Sequence, residues 1–374
     1  MPEQISHILT IGVPVLVLLY CAVCAAALRP RTGTLAWIPD CDRPAPPLLG
    51  VSYPVEKRDF LLLAGICVLT CPLRAAGTMR PLADFFSLDP GPLALALLEY
   101  VAAPLAAAAL AFLLMKLLFG RSFSAALCAA LIAADFQTDS VSLAFSAASL
   151  FCFVCFLTGP EEPSVRRTLV PLAGGFVFLA AGCYFDPGLT LMLAAGVILC
   201  VMGCVERFVR TGKLWALPCL AAAFLSVALT WTGVFILGGL REGYAFPSML
   251  AESEFYLMAL RRLGSGFASL FRGEMAVAPP GDWPLLLAAF PALISAAVWL
   301  ARRRDQRSAL LLAWTLTQVL TFVLLGSHAL SLGCAVCLCQ VWSKLEENRF
   351  LWLACVGAGA LAALLLIPYF LCTI

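Results

Sequence analysis

Arg74-Ala-Ala-Gly-Thr-Met-Arg80-Pro-Leu-Ala-Asp84-Phe-Phe-Ser-Leu-Asp89-Pro-Gly-Pro92 separates two long apolar runs, 60–76 and 93–115. Two aspartates and two arginines stand in it, between stretches suited to hydrocarbon. Each flanking run approaches the ~20 residues an α-helix needs to cross a bilayer. Only helices and closed barrels satisfy every backbone polar group in lipid. A polar loop between two such runs is therefore a membrane hairpin, and the same pattern recurs on both sides of it.

The totals agree. Of the 374 residues 62% are apolar and only 12% charged, and mean hydropathy is +0.97. Soluble globular domains run about 45–50% apolar and about 25% charged. A net charge of +2, with no basic run interleaved with aromatics, excludes nucleic acid as a partner. Seventeen cysteines would suggest a disulfide scaffold in a small secreted protein, but most sit inside apolar segments. There Cys packs as a small hydrophobe. The pairs Cys21/Cys24, Cys152/Cys155 and Cys334/Cys337 have no histidine beside them, so no metal site is assigned.

Residues 8–28 are apolar throughout. No Lys or Arg precedes them, whereas Arg29 and Arg31 follow at once. That order is wrong for a secretory signal and right for an anchor whose N-terminus faces outward. A Pro-rich charged connector occupies 29–58. Apolar segments then follow at 60–76, 93–115, 122–135, 140–158, 168–184, 187–205, 214–240, 284–301, 308–326, 328–343 and 350–372, about twelve with the first. The expected fold is an all-α polytopic bundle. Residues 1–58 form an extra N-terminal helix with its connector, and 59–374 form the main transmembrane domain with a long loop at 241–283.

Threaded from an outside N-terminus, cytoplasmic connectors collect 18 of the 24 Lys and Arg residues, as the positive-inside rule requires. Both termini then face the non-cytoplasmic side. Asp84, Asp89, Asp135, Asp139 and Asp186 all fall at outside ends of spans, where the long loop joins them. Within that loop, 255–271 mixes aromatic, aliphatic and basic residues as an interfacial helix does. Each aspartate alone reads equally as a helix cap. Lys116 reads as a topology anchor ending its span, and Glu99, inside a span and ahead of Pro104, as an ionisable group at membrane depth.

Three passages carry a family resemblance. They are Tyr53-Pro-Val-Glu-Lys-Arg-Asp59-Phe60 at the entry to a span, Leu118-Phe-Gly-Arg121 leading to Asp135-Phe-Gln-Thr-Asp139, and Pro280-Gly-Asp-Trp-Pro284 after the long loop. Over roughly 55–345 the chain resembles the GT-C superfamily of polyprenyl-phosphate-sugar glycosyltransferases, which includes protein O-mannosyltransferases and aminoarabinose transferases. It departs from them in having no Asp-Glu pair in the first outside loop, no Arg just before Asp139, and only His7 and His328 as histidines.

The resemblance implies a GT-C-like helical bundle in the bacterial plasma membrane that uses a lipid-linked sugar donor and a glycan or protein acceptor, with any divalent metal left open. It places a catalytic acid in the first outside loop. There Asp84 would take the acceptor hydroxyl's proton, with Asp139 orienting and Asp89 in reserve. Arg80, Arg261 and Arg262 would meet the polyprenyl phosphate, since guanidinium matches phosphate geometrically, and Asp186 and Glu99 would contact substrate. Two other readings stand beside this one. A non-catalytic membrane subunit on a transferase scaffold explains the missing motif residues. A transporter or lipid flippase calls for charged or broken helices at the midplane, for which only Glu99 speaks.

Overall fold

The computed structural model describes residues 48–50, 53–77, 98–133, 140–161, 165–212, 304–325 and 330–345, with single residues between 224 and 301. The described residues are helical throughout apart from turns. They form α1 (Lys57–Gly77), α2 (Ala103–Phe119), α3 (Ser122–Ala133), α4 (Ser140–Thr158), α5 (Val170–Phe185), α6 (Met192–Thr211), α7 (Gln306–Leu325) and α8 (Leu330–Leu345). Four stretches are long and apolar enough to cross a membrane: Val141–Thr158, Arg166–Phe185, Gly188–Thr211 and Gln306–Leu324. Ala103–Phe119 and Ser122–Ala133 are shorter apolar helices. The expected N-terminal helix at 8–28 and the segment at 350–372 lie outside the described residues, as does most of 214–301.

The surface is strongly apolar, and the largely apolar interior also admits polar side chains. Phe60, Leu61, Val68, Val209 and Phe224 are each 62–75% exposed. Leaving one such side chain in water rather than buried forgoes about 1.5–3 kcal/mol. Five together approach the ~5–15 kcal/mol that stabilises a whole domain, so this surface fits hydrocarbon. Inside, Ser124, Ser142, Ser146, Ser149, Thr315 and Gln318 are buried. Small and hydroxylated residues at helix interfaces are how membrane bundles pack closely.

Aromatic side chains of α4 set that packing. Phe153 sits where a Cβ on Gly175 of α5 or on Gly196 of α6 would come within 2.9 Å of its ring. Its ring meets Phe176 edge-on, with centroids 5.2 Å apart, and Trp314 of α7 at 6.3 Å. One turn on, Phe156 fills the space that a side chain at Gly203 of α6 would need. Three glycines on two helices thus accept two phenylalanines from a third, and the ring cluster reaches α7.

Proline shapes two helix starts. A π-helical turn, Leu98–Ala102, precedes α2, whose first turn holds Pro104. A second, Val165–Leu169, precedes α5, whose first turn holds Pro171. A proline has no N–H to close the i→i−4 ladder, and the wider turn accommodates that loss.

Two boundaries differ from those read in the sequence. The span read as 93–115, with Lys116 anchoring its end, is described from Leu98 onward, and its helix runs on to Phe119 and ends at left-handed Gly120. Lys116 lies within it, 2% exposed. The charge does not end the helix because Asp59 neutralises it inside the bundle. The segment at 187–205 begins as a 3-10 turn, Pro187–Leu191, and then runs as α6 to Thr211.

Candidate functional site

The first turn of α1 builds a buried ion pair. Glu56 is its N-cap, and the Asp59 carboxylate Oδ2 accepts from the Glu56 backbone N–H at 2.8 Å, half of a capping box. The same oxygen lies 3.1 Å from Lys116 Nζ on α2. That ammonium also donates to Ser122 Oγ at the start of α3, at 2.8 Å. One aspartate oxygen therefore caps its own helix and ties it to the α2–α3 hairpin.

A second network joins the chain's other connectors. Leu48 N–H donates to Gln306 Oε1 at 3.1 Å, and Gln306 Nε2 donates to Glu206 Oε2 at 2.6 Å. Arg210 Nη1 bonds Glu161 and its Nε bonds Glu206, both at 2.7 Å. Gly50 N–H reaches the carbonyls of Thr158 and Gly159 at the end of α4. Asp305 caps α7, accepting from Arg307 N–H and Ser308 Oγ, and Ser308 Oγ accepts from Gln340 Nε2 of α8 at 2.9 Å. Arg207 is buried, donates to the carbonyls of Gly203 and Phe156, and stands 4.5 Å over the Phe156 ring. The ends of α2, α4, α6 and α8 and the starts of α1, α3 and α7 thus meet at one end of the bundle, which carries most of the described basic residues.

The sequence candidates divide. Asp84, Asp89, Asp139, Arg80 and Arg262 lie outside the described residues. Glu99 is half-buried in the π-helical turn ahead of α2. At ~1.5 Å per helical residue it is roughly 25 Å along the helix from Lys116. Asp186 closes α5, and its Oδ1 accepts from Gly188 N–H at 2.9 Å to cap the following turn. It stands at the far end of α5 from Arg166 and Arg167. Both acids therefore occupy the end opposite the basic network. Arg261 is helical and exposed, as are Glu254, Leu257 and Leu260, which lie seven, four and one residues before it.

Sequence reasoning missed the Asp59–Lys116 pair, although a signal for it existed. Consecutive spans run antiparallel, so the start of one and the end of the next share a membrane face. An acid opening the first and a base closing the second are then neighbours. It also missed Gln318. This buried residue of α7 accepts from Gly333 N–H of α8 at 2.8 Å, and its amide reaches Ser146 of α4. Thr315 beside it bonds the Gly333 carbonyl and meets Cys337 Sγ at 3.1 Å.

Most polar atoms at the basic end bond one another or backbone carbonyls, although Asp59 Oδ1, Arg307 Nε and Gln340 Oε1 find no hydrogen-bond partner, so the arrangement reads as a fastening. Among the described residues no cluster of three or more His, Cys, Asp or Glu side chains forms a metal site, and the described cysteines are free thiols. No protein-family model matches the chain, and no curated protein or solved structure matches it.

Proposed function

We propose that the chain is a multi-pass membrane protein of about twelve helices that transfers a sugar from a polyprenyl-phosphate donor to an acceptor hydroxyl on a glycan or protein. The supporting observation is that most of the described basic residues gather at one end of the bundle, in company with acids such as Asp59 and Glu206. Glu99 and Asp186 stand at one end, and the buried basic network stands at the other. By the positive-inside rule the basic end is cytoplasmic, so the end that holds Glu99 and Asp186 faces outward. That is the side on which the loop bearing Arg80, Asp84 and Asp89 emerges in the threading.

On this reading Asp84 removes the acceptor proton as the hydroxyl attacks the anomeric carbon. The sugar–phosphate oxygen bond breaks, and the lipid phosphate leaves against Arg80 with Arg261 and Arg262, cations matched to its developing charge. Asp139 orients the acceptor. At a membrane edge these charges act with less screening than in water, which strengthens both effects.

The test is transfer in vesicles supplied with polyprenyl-phosphate mannose. The expected result is that Asp84→Asn abolishes transfer while expression and insertion are unchanged. Undiminished transfer by that variant, or none by the parent protein, overturns the reading.

A further inference from the structure

We draw no further inference here: the strongest candidate, the cluster of buried thiols formed by Cys128 on α3 with Cys337 and Cys339 on α8, carries nothing, because buried cysteines pack as small hydrophobes and nothing in the structure shows what these would bind.

Discussion

Lys116 Nζ lies 3.1 Å from Asp59 Oδ2, with 3% and 0% of the two side chains exposed. Their mutual attraction is strong in such surroundings, but its net worth is set by what remains when one partner goes. Lys116→Met leaves a buried carboxylate and should cost about 3–5 kcal/mol. Asp59→Asn with Lys116→Met together should cost clearly less than the sum. A double-mutant cycle by thermal or denaturant unfolding in detergent checks this, and strict additivity would refute the coupling.

The glycine–phenylalanine contacts predict an asymmetry between removing and adding atoms. Phe153→Ala empties the junction of α4, α5, α6 and α7 and should cost about 3–5 kcal/mol. Gly203→Ala forces Phe156 aside and should cost about 1–3 kcal/mol. Gly212→Ala meets no side chain but must adopt φ 64°, so its penalty is backbone strain of about 1 kcal/mol. Unfolding measurements on the three variants rank them.

Gln318 couples α7 to both α4 and α8. Replacing it with Leu keeps the volume similar but leaves Gly333 N–H without its acceptor, at a cost of about 1–2 kcal/mol. Gln318→Glu should be worse, because it adds a charge with no cation among its hydrogen-bond partners. Stability of the two variants in one detergent tests the order.

Asp186 separates a structural role from a functional one. Asp186→Ala removes the acceptor for Gly188 N–H and should destabilise by about 1 kcal/mol. Asp186→Asn retains a capping oxygen while losing the charge, and should unfold close to the parent protein. If Asp186 also contacts substrate, the Asn variant loses transfer without losing stability. Equal transfer in both leaves the residue as a cap alone.

Much of the architecture was legible in one dimension because lipid imposes a one-dimensional rule. Apolar runs of the right length must be helices, and charge decides which ends share a face. The segments read at 140–158, 168–184 and 308–326 coincide closely with α4, α5 and α7. Boundaries failed where a charge had found a partner, as at Lys116, or where a 3-10 turn opened a span, as at Pro187. The candidate acids of the 74–92 loop carry no local signature beyond their place, and Asp186 shows how easily such a residue serves as a cap.

The amino-acid sequence by itself determined that this chain is built of apolar helices with its basic residues segregated, since both follow from composition and spacing. The tertiary structure decided which charges meet. Pairing Asp59 with Lys116, Gln306 with Leu48 and Glu206, and Phe153 with two glycines on different helices depends on helix rotation and depth. Those are set by packing among helices distant in sequence, and no local pattern records them. Arg74–Gly77, where the polar stretch begins, are the last turn of α1, the helix whose other end that packing pins.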